Sequence, residues 1–416
     1  MLIDVKMAWR NIWRNPRRTI LTVLAIAFAC VLLIFMLSFQ FGSYATMINS
    51  SVKINTGHLQ IQAKGYQDEK KMRLVIDDPQ PLTRILDRIP LVSAYTSRAR
   101  AFALVSSEKR SYGVMIVGVE PKREAEVSTL GHIVRQGSYF SADPRESGLG
   151  SALMGGLLAR NLKVDIGDEI TILGQGRDGS VAATVVRVRG IFDSGSDEFD
   201  RNAIHIPLDE FQEVFEMQRA VHEIVILGKA LENVPAIKRS LQRELNGLGQ
   251  ERTLTALDWE ELLPGLRQAI QMDLVSGAIS YLILIMVVAF SILNTFLMAI
   301  LERIHEFGVM MAVGTKPGRL TRLVLIESAG MTLVGVAVGI LLGCLITWYF
   351  QIHGIDMAGS SEILRQYGIP SQLYPRMTLV SVFTGPLVVL VITMLTALYP
   401  ALKILRLRPV EAINYT

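Results

Sequence analysis

Four long stretches of the chain contain no charged residue and no histidine, which separates them from the mixed sequence around them. These runs have 23, 28, 25 and 26 residues and are Thr19 to Phe41, Leu274 to Leu301, Ser328 to Ile352 and Met377 to Leu402. A helix of about 20 apolar residues crosses the hydrocarbon core of a bilayer. The pattern therefore predicts an α-helical membrane protein with four transmembrane helices.

The 232 residues from 42 to 273 alternate between strand-like and helix-like patterns, which predicts a large α+β domain in water. Signals are mostly β between about 120 and 208 and mixed on either side. We predict a split α/β module with an inserted β-rich module. The predicted strands are Ile54 to Gln62, Tyr112 to Val119, Glu169 to Leu173, Ala182 to Phe192, Ala203 to Ile206, Glu223 to Leu227 and Thr253 to Leu257, and the predicted helices are Pro81 to Ile89 and Val234 to Leu245.

The residues before the first run have the pattern of an amphipathic helix at a membrane interface. The apolar positions are Val5, Trp9, Ile12, Trp13 and Pro16, and the basic positions opposite them are Lys6, Arg10, Arg14 and Arg17. An orientation anchor and a lipid site both fit this pattern, and the anchor is the simpler interpretation.

The later runs carry signals of their own. Asp258 is a predicted N-cap from which a helix runs straight into the second run, whose 28 residues measure about 42 Å at 1.5 Å each and should project as a stalk. Three glycines, Gly335, Gly339 and Gly343, leave one face of the third helix open to close packing. Gly385-Pro386 predicts a kink in the fourth.

Composition and charge agree with a membrane protein. Half of the residues are hydrophobic, 19% are charged, and the two cysteines, Cys30 and Cys344, lie inside uncharged runs. Twelve Lys and Arg residues lie in the two termini and the 302–327 loop, against four in the opposite flanks. The positive-inside rule places both termini and that loop in the cytoplasm and the large domain outside. A cleavable signal peptide is the competing interpretation, but 23 apolar residues are long for one and no cleavage site follows Phe41.

Several chemistries are missing from the sequence. The runs hold no ionisable group of the kind that ion pathways use, and no nucleotide-binding loop occurs, the nearest match being Gly314-Thr315-Lys316. The histidines lack metal-ligand spacing, and the acidic stretch Asp193 to Asp200 fits a solvated turn better than a calcium loop. We expect a non-catalytic subunit that binds no cofactor or metal itself.

The loop from 302 to 327 begins with a dense motif, Glu302-Arg303-Ile304-His305-Glu306-Phe307-Gly308-Val309-Met310-Met311-Ala312-Val313-Gly314. Ile304, Phe307, Met310 and Met311 share one helical face. This face fits either a partner's groove or packing beneath the membrane, and the residues alone do not separate the two.

This motif, E-R-x-x-E-F-G-x-M-x-A-x-G, resembles the coupling segment of the FtsX-like permeases of ABC transporters. The start of the chain (Met7 to Asn11, Pro16 to Thr19) and its tail (Tyr399 to Ala401, Pro409 to Ala412) are similar to that family too. The resemblance implies Porter-like and Sabre-like parts for the two modules. The implied ATPase-coupling residues are Glu302, Arg303, His305, Glu306, Phe307, Gly308, Met310, Met311 and Gly314.

The resemblance also implies partners. These are a second permease subunit, two copies of a cytoplasmic ABC ATPase that binds ATP and Mg²⁺, and a periplasmic carrier or outer-membrane factor. Within the family the chain looks closest to the lipoprotein-releasing LolC/LolE branch, so we expect extraction of lipid-linked cargo from the bacterial inner membrane. The cargo-cavity candidates are Phe35, Phe39, Ile285 and Phe290.

Two other functions remain open. One is a MacB-like mechanotransmitter that drives efflux of periplasmic cargo. LolC captures its carrier with a long hairpin, whereas the corresponding turn here, Gly174 to Ser180, is short. The other is an FtsX-like regulator of a cell-wall hydrolase, which the 232-residue domain disfavours because that branch has a much smaller one.

The expected segments are 1–18 amphipathic helix, 19–41 TM1, 42–273 periplasmic domain, 274–301 TM2, 302–327 coupling loop, 328–352 TM3, 353–376 periplasmic loop, 377–402 TM4 and 403–416 cytoplasmic tail.

Overall fold

The computed structural model describes residues 2–140, 150–249, 253–356 and 372–405, with side chains from Lys6 onward. The tail motif Pro409 to Ala412 and most of the 353–376 loop lie outside the described residues. The helices are α1 (Leu2–Ile12), α2 (Pro16–Ser51), α3 (Tyr66–Glu69), α4 (Gln80–Leu86), α5 (Pro121–Val127), α6 (Leu130–Ile133), α7 (Gly156–Leu162), α8 (Asp197–Asn202), α9 (Leu208–Val214), α10 (Val234–Gly247), α11 (Trp259–Leu262), α12 (Pro264–Leu301), α13 (Ile304–Ala312), α14 (Pro317–His353) and α15 (Leu379–Ile404).

Strands make up most of the remaining regular structure. They are β1 (Leu59–Ala63), β2 (Val92–Ser106), β3 (Ser111–Val119), β4 (Val134–Gly137), β5 (Gly150–Gly155), β6 (Glu169–Gln175), β7 (Val181–Phe192), β8 (Ala203–Pro207), β9 (Glu223–Gly228), β10 (Leu254–Asp258), β11 (Ile355–Asp356) and β12 (Gln372–Leu373). A π-helical turn, Val52–Thr56, continues α2, and a 3₁₀ turn, Leu231–Asn233, precedes α10.

The chain forms two compact units. Of the described residues, one contains 2–44, 269–356 and 372–405, and the other contains those between 45 and 268. Among the described residues, four helices are long and apolar enough to cross a membrane, namely α2 with its π-helical turn, α12, α14 and α15. The four predicted spans therefore coincide with four helices. Each of the first three extends well beyond its uncharged run.

The described residues of the large domain form one ten-stranded sheet in the order β10-β1-β9-β2-β3-β8-β5-β7-β4, with β6 paired to β2 and β7. The antiparallel neighbours of β1 are β9 and β10, so the first strand of the domain lies between its last two. Nearly all of the predicted strands and both predicted helices are present. The division into two modules at about 120–208 stays a prediction, because the strands form one continuous path.

Three local predictions are wrong. The strand expected from Ile54 begins only at Leu59, because residues 52–56 form the π-helical turn, which Gly57 ends at a φ of 66°. The helix expected to run from Asp258 into the membrane breaks at Leu263 (φ −123°, ψ 65°), since Pro264 disfavours helical geometry in the residue before it. The interfacial helix ends at Ile12, so Trp13 lies in the turn before α2.

Asp258 is an N-cap, as predicted, but it caps the short helix α11 and not a helix that continues into the membrane. Its carboxylate accepts hydrogen bonds from the amides of Glu260 (3.1 Å) and Glu261 (3.3 Å), and the Glu261 carboxylate accepts from the Asp258 amide at 3.0 Å. This reciprocal pair is a capping box.

Candidate functional site

The motif helix α13 packs its apolar face inside its own chain. Phe307 is fully buried and lies with Ile304 and Met311 in a core cluster that includes Val324 of α14 and Ala401 of α15. The predicted apolar face is therefore covered by neighbouring helices of this chain. Gly314, at a φ of 101°, follows the end of α13 and allows the turn to Pro317.

The opposite face of α13 is exposed. His305, Val309, Ala312 and Val313 are all exposed, and Val313 retains 84% of its accessible surface. A partner protein that binds this helix would meet these side chains. Periodicity could not identify this face, because it shows that a helix has two sides and leaves open which side the chain covers.

Acidic side chains of the motif pair with basic residues elsewhere in the chain. The Arg14 guanidinium donates two hydrogen bonds to Glu306, at 2.5 and 3.2 Å, and Arg18 donates one to Glu302 at 3.2 Å. Arg303 donates to Glu327 at 3.0 Å and lies 3.5 Å from Glu306. We call these residues the elbow network, because they join the α1–α2 turn to α13 and α14.

The glycines of α14 face α2. A Cβ atom on Gly339 would lie 2.6 Å from the Cβ atom of Cys30 and 2.9 Å from the Ala27 carbonyl oxygen, and one on Gly335 would lie 2.8 Å from the Ile26 Cβ atom. Gly343 meets Ile34 in the same way, at 2.9 Å. The two helices therefore approach closely along this line.

The other ends of α2 and α12 are joined by polar side chains. The Tyr44 hydroxyl donates to Asp273 at 2.6 Å, and Gln40 donates to the same carboxylate at 3.2 Å. Tyr281 in turn donates to Gln40 at 2.8 Å. Asp273, the first charged residue before the second run, is thus tied to the first transmembrane helix.

The four cargo-cavity candidates are not gathered at one place. Phe35 stacks on Phe39 and meets Phe350 of α14 edge-on at 5.6 Å. Ile285 lines a space of about 10 Å³ with residues of α2 and α15, while Phe290 is 66% exposed. That space is too small to hold an acyl chain. A role of these residues in cargo binding therefore stays a prediction.

The large domain contains a buried charge network that sequence reasoning missed. Arg98 on β2 and Glu124 on α5 are each at most 2% exposed and form two hydrogen bonds, of 2.6 and 2.9 Å. Arg100 pairs with the buried Glu223 of β9 at 2.8 Å. Two arginines in a strand look like solvent-facing residues in sequence, and their partners lie far along the chain, so no local signal pointed to burial.

This network also holds the π-helical turn. Arg98 donates to the Asn55 carbonyl oxygen, and Arg100 donates to the Asn55 side-chain oxygen at 2.8 Å. Burial raises the pKa of the Glu124 carboxyl, but the charge and hydrogen bonds of Arg98 outweigh this and leave that pKa below its ordinary value. Glu124 is therefore ionised and paired.

Four apolar helices, a large mixed domain and a short motif helix at one end of the bundle are the parts of an FtsX-like ABC transporter permease. The chain belongs to this family. A family model described as MacB-like periplasmic core domain matches residues 19–244, more than half of the chain, and one described as FtsX-like permease C-terminal matches residues 278–409.

Relatives include lipoprotein-releasing proteins and macrolide exporters. The lipoprotein-releasing system transmembrane protein LolC of Xylella fastidiosa is 23% identical over 95% of this chain and 93% of its own length. LolE of Haemophilus influenzae is 24% identical over 80% of each chain. The macrolide export ATP-binding/permease protein MacB of Campylobacter jejuni is 21% identical over 98% of this chain and 61% of its own length.

Proposed function

We propose that the chain is the permease subunit of an ABC transporter that moves lipoproteins or other lipid-linked cargo from the inner membrane towards the outer membrane. The observation that carries this is the similarity to LolC, which extends over 95% of this chain and 93% of the relative. A match of this extent includes most of the large domain and of the four helices. Both termini and α13 face the cytoplasm, and the large domain faces the periplasm.

ATP hydrolysis occurs on two copies of a separate ATPase, which bind ATP and Mg²⁺, and a second permease subunit completes the transporter. The exposed face of α13, His305 with Val309 and Val313, meets the ATPase, because Ile304, Phe307 and Met311 are covered within the chain. The charged motif residues contribute indirectly, through ion pairs that connect α13 to the α1–α2 turn and to α14.

Val313→Glu tests this contact. Val313 is 84% exposed, so a glutamate costs the permease little, whereas in an interface it buries an unpaired charge. We expect about tenfold weaker copurification of the ATPase with unchanged thermal stability of the permease. Val181→Glu is the matched control, a 77% exposed valine in the large domain. Equal ATPase binding by wild type and Val313→Glu would exclude this face.

Glu306→Lys tests coupling. A lysine would stand beside both Arg14 and Arg303, which now pair with this carboxylate. We expect a folded permease whose ATPase is no longer stimulated by cargo. Full stimulation in this variant, with a stable complex, would count against the assignment of α13.

A MacB-like exporter is the second candidate, favoured by one observation. Only five residues, 176–180, connect β6 to β7, so this hairpin is short, whereas the resemblance to LolC implies a long hairpin for carrier capture. Mass spectrometry of the purified complex separates the two candidates. Bound acylated lipoprotein supports lipid-linked cargo, and its absence from complexes that retain the ATPase supports export of periplasmic cargo.

A further inference from the structure

We propose that the start of the chain is a binding surface for anionic phospholipid headgroups, and that these headgroups compete with Glu306 for Arg14. We call this surface the basic elbow. It consists of Lys6, Trp9, Arg10, Trp13, Arg14 and Arg17, all of which are exposed. The surface itself depends on neither the ATPase nor the cargo, whereas its effect on coupling rests on the function proposed above.

The charge of the chain is concentrated here. Residues 1–18 contain five basic residues and one acidic residue, Asp4, a formal charge of +4 that equals the net charge of all 416 residues. The remaining chain is therefore neutral as a whole. Basic clusters beside a membrane helix attract the negative surface of a leaflet that contains anionic lipids.

The elbow is held firmly against the helix bundle. Ala8 and Ile12 are buried, and the Ile12 Cδ1 atom lies 2.9 Å from the position of a Cβ atom on Gly330 of α14. The Thr19 hydroxyl donates a 2.5 Å hydrogen bond to the Ile12 carbonyl oxygen and closes the turn between α1 and α2. Ala8 and Ile12 are thus covered by the protein, whereas Trp9 and Trp13, which were predicted on the same apolar side, stay exposed beside the basic residues and are left for the membrane surface.

The exposed side combines charge with tryptophan. Trp9 and Trp13 are about half exposed and meet edge-to-face with ring centroids 6.2 Å apart. Tryptophan is enriched at headgroup depth, where the ring meets acyl carbon and the indole N–H meets polar groups. The tryptophan pair sets the depth, and the arginines around it supply complementary charge for a phosphate.

Arg14 belongs to both the elbow and the elbow network. Its side chain is 63% exposed and that of Glu306 is 37% exposed, so their ion pair stands partly in solvent. Such pairs are weak and are screened by salt. A phosphate group can therefore compete with Glu306 for Arg14. When it binds, the contact between the α1–α2 turn and α13 is weakened. Membrane charge would in this way set how firmly the coupling helix is held.

Fluorescence quenching by brominated lipids tests the surface. The full chain, with Trp259 and Trp348 replaced by phenylalanine, reports through Trp9 and Trp13 alone. Detergent micelles carry brominated phosphatidylglycerol or brominated phosphatidylcholine at equal mole fraction. We expect about threefold stronger apparent binding of phosphatidylglycerol, and loss of that preference at high salt.

Paired variants make the test specific. Arg10→Gln with Arg17→Gln should abolish the preference, whereas Arg322→Gln with Lys403→Gln, which removes two exposed charges from α14 and α15, should keep it.

Glu306→Gln frees Arg14 and should strengthen phosphatidylglycerol binding about twofold, an effect that general damage to the fold would not produce. Equal quenching by the two lipids, or equal behaviour of the two double variants, overturns the proposal. Unchanged binding in Glu306→Gln overturns the competition. None of these measurements involves the ATPase, so failure here leaves the proposed transport function standing.

Discussion

Two ion-pair networks in this chain use the same residue types in opposite environments. In the large domain, Arg98 and Glu124 are almost completely buried, and their hydrogen bonds fix β2, α5 and the π-helical turn to one another. In the membrane unit, Arg14 and Glu306 are partly exposed. A buried pair cannot lose one partner without stranding a charge, whereas an exposed pair can exchange partners with water, salt or lipid. The first network is suited to hold β2, α5 and the π-helical turn in a fixed arrangement. The second is suited to a contact that can be released.

Glu124→Ala should have the largest effect on this comparison. It leaves the buried Arg98 guanidinium with only the Glu223 carboxylate, 4.0 Å away, which we expect to cost the large domain about 3–5 kcal/mol. Guanidinium unfolding of the full chain in detergent, followed by Trp259 with the other three tryptophans replaced by phenylalanine, measures the change. The joint replacement Arg98→Met with Glu124→Leu should recover most of the loss. No recovery would mean that the charges contribute more than their mutual pairing.

The line of contact between α2 and α14 offers a second comparison, without charge. Gly339→Ala brings a methyl group to 2.6 Å from Cys30 and 2.9 Å from the Ala27 carbonyl oxygen, so a helix must shift. We expect a loss of about 1–3 kcal/mol, seen as a lower midpoint of thermal unfolding in detergent. Gly265→Ala in α12 is the control, because nothing lies within 4 Å of its added carbon. Equal stability of the two variants would show that the helices are not closely packed at Gly339.

Glu210 is a carboxylate whose pKa shifts in the direction opposite to that of Glu124. Burial, reinforced by Asp209 and Glu213, raises the pKa of Glu210 to about 7. The unfolded chain loses this proton near pH 4.5. The protonated group therefore stabilises the fold at low pH, and this contribution disappears as the pH rises through about 7. Glu210→Gln should flatten the decline in domain stability between pH 4.5 and 7. Glu244→Gln, an exposed carboxylate on α10 that takes no part in the Glu210 shift, should leave it unchanged.

The pair Arg14–Glu306 should show the smallest effect. A double-mutant cycle with Arg14→Gln and Glu306→Gln should give a coupling energy below about 1 kcal/mol, from thermal unfolding in detergent at low salt. It should fall further at high salt, because exposed pairs are screened. A coupling energy of several kcal/mol that does not change with salt would show that this pair behaves like the buried network.

Sequence reasoning identified most elements of the large domain but missed its longest strand, β2. Strands such as β3 and β7 stand out because several apolar residues follow one another. β2 carries Ser97, Arg98 and Arg100 in its middle, which reads as a polar loop. Its partners, Glu124 and Glu223, lie 26 and 123 residues away from the arginines that bind them. No window of local sequence contains that information.

What the sequence determined by itself was the position of the four long apolar helices and the motif from Glu302 to Gly314. Uncharged runs and short motifs are local, and the cost of placing charge in hydrocarbon makes such runs nearly sufficient to locate spans. Tertiary structure alone decided which face of α13 is covered, that Gly339 meets Cys30, and that Arg98 is buried while Arg14 remains exposed. Each of these depends on which distant segments pack together, because the environment of a side chain is set by its neighbours in space.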